Sequence, residues 1–299
     1  MPEQAEKGSS QAQGTTSSVP RAIDVQLERA KLLILAPHMD DEILGCGGLI
    51  ALHSDPKSVY CVFATDGSRS PAPLLPWLGK PDSDLPEKRK HEAIAALGEL
   101  GVPEKNLVFL DLPDGKLSRH QGLLLARLSE SIRKLSPDVV LAPFRLDVHP
   151  DHVTLNRAAR SVIRETADRP NFLEYFVYFH LRLLPGNDIR RCLRTESLIQ
   201  LDVSPVSQAK LRALEKYDTQ IRVSHPWQDR PILPAERLRE RCKAPEVFLE
   251  CDPNAPLLAV FPRHKLRIMS AFLAQRYGKR PKDQLLALLK WLSGIRTSG

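Results

Sequence analysis

Cysteine is scarce in this chain: five residues in 299, at Cys46, Cys61, Cys192, Cys242 and Cys251, with scattered spacings and no C-x-x-C pair. That pattern excludes a disulfide framework and a thiolate zinc site, and leaves reduced thiols packed in a core. Long apolar runs are also missing. None approaches the ~18 residues of a spanning helix, and the N-terminus lacks the basic-then-apolar order of a secretory signal. The expectation is a cytoplasmic protein without a transmembrane segment. Aromatic residues make up only 6%. The basic excess, 43 Lys and Arg against 36 Asp and Glu for a formal charge of +7, is therefore not interleaved with rings as in a single-strand binder. Much of it lies late, from Arg263 to Arg296, and reads as a solvated face with no nucleic-acid partner. A G-x-G-x-x-G fingerprint is absent as well. Gly45, Gly47 and Gly48 follow three acids that would repel a pyrophosphate, so close helix-to-sheet packing explains them better.

What is present is ordinary for a folded domain, 42% apolar and 26% charged, enough to bury a full core. Residues 1–28 are polar, rich in Gln, Ser, Gly and Thr, and read as a disordered leader. The run Leu32 to Leu35 reads as a buried parallel strand, followed by a helix carrying Ile43, Leu44, Leu49, Ile50 and Leu52. Val59–Thr65, Asn106–Leu110 and Asp138–Ala142 are further strands. Helices open at Pro86, as Pro favours, and run from Arg119 to Leu135 and onward from Pro150. This alternation predicts an α/β fold, a Rossmann-like three-layer sandwich with a mostly parallel sheet and right-handed crossovers. The loop Ser68–Pro86 is long and proline-rich, which suits a functional loop. Phe172–Phe179 and Glu196–Leu201 are expected strands, Ser204 is expected to cap a helix to about Tyr217, and Val223–Pro245 looks irregular. The expected domain covers 29–250. Residues 251–299 read as a helical C-terminal extension packed on it, its basic amphipathic last helix leaving peripheral membrane contact as the alternative. Nothing in the sequence speaks to oligomeric state.

Two clusters interrupt this regularity. The first strand stops at Pro37-His38-Met39-Asp40-Asp41-Glu42, and the fourth runs into Asp147-Val148-His149-Pro150-Asp151-His152. Taken singly, each is an ordinary helix start, acids complementing the helix dipole and a His at a turn. Both, however, fall at strand-to-helix junctions on the carboxyl edge of one sheet, where open α/β sheets place ligands. Two imidazoles and a carboxylate with open positions suit a catalytic divalent metal. His38, Asp41 and His152 supply that set, and Asp40 is left free to act as a base.

These residues resemble a known family. PHMDDE at Pro37 to Glu42 followed by G-x-G-G, and HPDH at His149 to His152, are similar to the motifs of the PIG-L or LmbE-like zinc-dependent N-acetylglucosamine deacetylases. The likeness extends to TDGS at Thr65 to Ser68, to R-x-x-E-A at Arg89 to Ala93, to Asp147, and to K-x-x-A-L-x-x-Y-x-T-Q at Lys210 to Gln220, about residues 30 to 250 in all. Pro37 and Met39 depart from the usual A-H-P-D-D-E at positions that would not ligate metal. The resemblance implies Zn²⁺, with Fe²⁺ or another divalent ion as the alternative, held by His38, Asp41 and His152. It implies Asp40 as general base and a protonated His149 stabilising the oxyanion, oriented by Asp151 or Asp147. Arg89 either contacts substrate hydroxyls or a phosphate, or pairs with Glu92 one turn on. The expected function is removal of an N-acetyl or other N-acyl group from an N-acetylglucosamine-type amino sugar or glycoconjugate. The alternative is a catalytically silent sugar- or nucleotide-binding module.

Overall fold

Strands form at the apolar runs and covering helices at the amphipathic stretches between them across residues 32–165 in the computed structural model of the chain, which describes residues 27–71, 82–145, 147, 149–177, 182–184, 187–188 and 198–254. Strand β1 (Leu32–Ala36) precedes helix α1 (Asp41–Leu52), and β2 (Val59–Thr65) precedes α2 (Leu85–Glu99). Then come β3 (Leu107–Leu112) with α3 (Gln121–Leu135), β4 (Val139–Pro143) with α4 (Pro150–Glu165), and β5 (Asn171–Tyr175). Two short strands, β6 (Arg182–Leu184) and β7 (Asn187–Asp188), pair only with each other. The rest is β8 (Leu198–Leu201), α5 (Ser207–Leu214), α6 (Asp218–Ile221), α7 (Ala235–Lys243) and β9 (Glu246–Glu250).

The seven-stranded sheet has the order β3-β2-β1-β4-β5-β9-β8. Its first five strands are parallel and its last two antiparallel. Strand β1 is central, with Leu32 opposite both Val59 and Val139. Because successive side chains point to opposite faces, Leu32, Ile34 and Ala36 enter one core with α1, α2 and α5, while Leu33 and Leu35 enter the other with α3 and α4. Both faces are covered, so the fold is a three-layer α/β sandwich. The chain builds outward from β1 through β2 to β3, then returns to place β4 on the other side of β1. The carboxyl ends of β1 and β4 therefore flank the crevice at which strand order reverses.

Several boundaries differ from expectation, each for a physical reason. The third strand runs to Leu112, and Asn106 stays outside it, its side-chain amide donating to the carbonyls of Lys57 and Val59 at 2.8 and 2.9 Å. Ser204 does not cap a long helix. It opens a 3-10 turn whose amide donates to Asp202 Oδ1 at 2.9 Å, and α5 begins only at Ser207. The stretch from Val223 to Pro245 contains α7, which buries only Leu238 and Cys242, too thin a stripe to read as periodic. Strand β9 was not anticipated, since Glu-Val-Phe-Leu-Glu has only three apolar residues between acids. The glycines after the first cluster do face close neighbours: a Cβ at Gly45 would lie 2.2 Å from the Tyr175 ring of β5. The leader, most of the proline-rich loop and the C-terminal extension beyond residue 254 lie outside the described residues. Among the described residues no helix is long and apolar enough to cross a membrane.

Candidate metal centre

The β1–α1 junction and the β4–α4 junction meet across the crevice between the two strands. Asp41 begins α1, and its Oδ2 lies 3.1 Å from His38 Nδ1 and 3.1 Å from His152 Nε2. All three side chains are buried. Metal–nitrogen and metal–oxygen bonds near 2.1 Å in a tetrahedron place ligand atoms about 3.4 Å apart, so these two contacts are close to the spacing of a donor set. The far nitrogens behave as ligating imidazoles require. His152 Nδ1 lies 3.0 Å from Asp147 Oδ2. His38 Nε2 lies 3.3 Å from Asp114 Oδ1 and 3.5 Å from Asp151 Oδ2. The residues present therefore fit a divalent metal.

Without an ion these carboxylates hold protons on the rings. Burial opposes charge on His152, but Asp41 and Asp147 overcome it and raise its pKa to about 9. His38 is also raised, against burial, by Asp114, Asp151 and Asp41. Asp41 is lowered despite burial, by His152 first and then His38.

Asp40 stands beside this set in a conformation few side chains adopt, φ 125°. Its amide donates to Glu42 Oε2 at 2.9 Å, and Arg89 lies 3.4 Å from its Oδ1. Burial raises its pKa to about 7, with Arg89 pulling it down and Asp41 pushing it up. Its proton affinity thus sits at neutrality, where a base that takes and returns a proton is most effective.

His149 precedes α4, and its ring centroid lies 4.6 Å from that of His38. Its Nδ1 accepts the Asp151 amide at 3.2 Å, an N-cap bond that places the proton of a neutral ring on Nε2. Burial, then the neighbouring His38 and His152, lower its pKa to about 4. At neutral pH it is an uncharged donor rather than the imidazolium expected from sequence. Its ring also brings a nitrogen within 4.8 Å of those of His38 and His152. Asp41 is the nearer third donor, and His149 Nδ1 is already engaged.

Asp147 and Asp151 do not share the single task expected of them. Asp147 faces the ring of His152. Asp151 accepts the amides of Gly115 at 2.7 Å and Leu117 at 3.1 Å, tying the β3–α3 loop to the centre. Arg89 is 1% exposed. Its guanidinium donates to the carbonyl of Met39 and, at 3.4 Å, to that of Ser70. It is thus committed to the loop carrying Asp40 rather than open to a sugar. Glu92 is not its partner either, being bonded to the amide and hydroxyl of Thr219 at 2.7 and 2.6 Å.

Sequence reading missed Asp114. Burial would raise its pKa, yet His38 lowers it to about 2, and its Oδ2 accepts the Arg69 amide at 2.9 Å. Its only local signal was Pro-Asp-Gly, which reads as a turn. Asp66, from the TDGS stretch, accepts the amides of Ser68 and Asp114 at 3.0 and 3.2 Å and joins the ends of β2 and β3.

Residues 33–163, which include every side chain of the donor set, match the PIG-L family, described as GlcNAc-PI de-N-acetylase. The chain is 27% identical over 219 residues to the 2'-N-acetylparomamine deacetylase of Streptomyces fradiae, across 67% of this chain and 77% of that one. Its fold is similar to the N,N'-diacetylchitobiose deacetylase from Pyrococcus horikoshii, with a TM-score of 0.54 and 22% identity over 75% of this chain and 85% of that one. It is also similar to the 4-carboxy-2-hydroxymuconate hydratase of Pseudomonas putida KT2440, with a TM-score of 0.52 and 18% identity over 76% and 98%. Both structural likenesses are of fold alone, and the second shows that this architecture does not by itself fix the chemistry.

Proposed function

We propose that this chain, a member of the PIG-L family, is a metal-dependent hydrolase that removes an N-acetyl or related N-acyl group from an N-acetylglucosamine-type amino sugar or glycoconjugate. The observation that carries the reading is the Asp41 oxygen set 3.1 Å from both His38 Nδ1 and His152 Nε2, with Asp40 alongside. The named relative's activity on an acetylated amino sugar supports the substrate class. His38, Asp41 and His152 would hold the ion, with zinc as our choice and Fe²⁺ or another divalent ion as the alternative. A metal bound there would acidify a water to a pKa of about 7 and polarise the acyl carbonyl.

The chain's own groups do the rest. Asp40 takes the proton of the attacking water and returns it to the departing amine. Arg89 holds the Met39–Asp40 loop by its carbonyl and faces the Asp40 carboxylate, keeping it aimed. His149 donates from Nε2 to the oxygen that becomes negative in the tetrahedral intermediate, a bond stronger there than to the neutral amide.

The test joins metal content to turnover. Wild type and His152→Ala are analysed for bound metal, and amine release is followed on N-acetylglucosamine, N,N'-diacetylchitobiose and 2'-N-acetylparomamine. The expected result is metal in the wild type, its loss in His152→Ala, and amine from at least one panel member. Asp40→Asn should keep its metal and lose about 10²- to 10⁴-fold in rate. A wild type that binds no divalent metal after reconstitution would overturn the reading, and metal with cofactor-type nucleotide binding but no hydrolysis would favour a silent binding module.

A further inference from the structure

The late motif Lys210, Tyr217, Thr219, Gln220 supplies no donor to the metal set, yet all four residues are buried and reach elements far away in sequence. Lys210 Nζ pairs with Glu246 at 2.6 Å, and Thr219 holds Glu92 on α2, the helix that carries Arg89. Gln220 Nε2 donates at 2.7 Å to the carbonyl of Ser70, the same oxygen that Arg89 reaches. Tyr217 sits in the break between α5 and α6, fully buried, and its hydroxyl donates to Glu42 Oε1. The other oxygen of that carboxylate accepts the amide of Asp40.

This bears on a strained residue. A non-glycine at φ 125° costs on the order of 1–3 kcal/mol and persists only where its surroundings over-determine it. The Asp40 carbonyl accepts the Leu44 amide of α1 at 2.9 Å, which anchors the side that faces the helix; on the other side Arg89 acts on the preceding carbonyl and Glu42 on the Asp40 amide itself. Glu42 follows Asp40 by two residues, so it can fix that amide only if its own side chain is fixed from outside. Among the described contacts, the Tyr217 hydroxyl is the group that does so from another element.

We propose that Tyr217 is a positioning residue for Asp40, acting through Glu42. Its hydroxyl orients the Glu42 carboxylate, which holds the Asp40 amide and so aims the Asp40 side chain at the reacting water. The proposal rests on the reading of Asp40 as the base. A hydroxyl that merely satisfied a buried acid would stabilise the fold without touching the rate, and the two roles separate in a cycle of variants.

Wild type, Tyr217→Phe, Asp40→Asn and the double variant are compared on whichever of N-acetylglucosamine, N,N'-diacetylchitobiose and 2'-N-acetylparomamine the wild type deacetylates fastest, with zinc content measured on each. Tyr217→Phe should lower kcat about 10- to 100-fold, the usual loss for an outer-layer partner, while KM and zinc content hold. In the Asp40→Asn background the same change should cost nothing further, because the group it positions is gone. An unaltered kcat in Tyr217→Phe, or an equal loss in both backgrounds, overturns the proposal. Asp40→Asn at full rate sinks the reading of Asp40 and the proposal with it, whereas an inactive Asp40→Asn beside an unimpaired Tyr217→Phe sinks the proposal alone. If Tyr217→Phe does not fold, Glu42→Gln replaces it in the same cycle, since it keeps the volume but loses one of the two acceptors.

Discussion

Residues 32–175 and residues 198–254 build one sheet by different rules. The first span lays down five parallel strands, and every member of the donor set, with Asp40, Asp114 and His149, comes from a loop or helix start at their carboxyl ends. The second adds two antiparallel strands and three helices and contributes none of these groups. It sends buried polar side chains into the first span from behind: Lys210 and Glu246 into α1, Tyr217 onto Glu42, Thr219 onto Glu92 and Gln220 onto Ser70. Parallel strands aim their following loops at one edge, so chemistry gathers there. An antiparallel addition packed against those elements can hold them without facing the crevice. The comparison therefore predicts that damage to the second span registers mainly as stability, except at Tyr217, which reaches Asp40 through Glu42, and that damage to the first registers mainly as metal binding and rate.

The sharpest challenge to that division is Lys210→Met. Lys210 is 1% exposed and pairs with Glu246, whose two oxygens also accept the amides of Gly48 and Leu49 at 2.6 and 2.8 Å. Removing the ammonium leaves a buried carboxylate without its counter-charge, a loss of about 3–5 kcal/mol. Denaturant unfolding should show that fall, and adding Glu246→Gln should recover part of it. Bound metal per folded molecule should stay unchanged. Stability within about 1 kcal/mol of wild type would mean that the second span does not brace the first through this pair.

The next effect belongs to the first span. Metal binds only neutral imidazole, and in the metal-free chain His38 is raised and His152 titrates at about 9. Near pH 7 binding should therefore release protons from these rings, so affinity rises with pH, and the contribution of His152 levels above about pH 9. The sign for the metal-free fold is opposite. A His raised in the folded state gives stability that is complete below its unfolded pKa of about 6.5 and lost as pH climbs through about 9. The apo protein should weaken over the same interval in which it comes to bind metal more tightly. Calorimetric titration in buffers of different ionisation heat counts the protons, and a count near zero at pH 7 would break the account of the ligand charges.

The two spans also differed in what could be read from sequence, for the same physical reason. Leu32–Leu35, Val59–Thr65 and Asp138–Ala142 announce themselves because central parallel strands are buried on both faces and become unbroken apolar runs. The two polar clusters that the fold brings together were legible because each junction packs its polar groups within six residues. What failed was long-range. Strand β9 is defined by its pairing with β5 and β8 rather than by its own pattern. Arg89 could be taken for a substrate contact because its true neighbour, the carbonyl of Met39, lies 50 residues away. The lowered pKa of His149 follows from burial and from two nearby rings that only the fold brings together.

The smallest test lies where the spans touch, and it compares two glycines in helices of the first span. At Gly48 in α1 a Cβ would lie 2.2 Å from Val203 Cγ1 and 2.6 Å from Val203 Cβ, both from the second span, and 3.0 Å from Glu246 Oε1. Val203 is fully buried and cannot swing aside, so Gly48→Ala must push β8 and α5 away from α1. Overpacking of this kind costs about 1–3 kcal/mol. At Gly98 in α2 a Cβ would meet nothing within 4 Å. There Ala only removes backbone freedom from the unfolded chain and should stabilise by about 0.4–1 kcal/mol. Because neither change touches a group of the donor set, amine release per metal-loaded molecule should follow the seam rather than the stability. Gly98→Ala should leave it unchanged, while Gly48→Ala should lower it only as far as displacing α5 also moves Tyr217 off Glu42. A Gly48→Ala protein as stable as wild type would show that the seam is loose, and that the second span holds the base by its individual hydrogen bonds rather than by close packing.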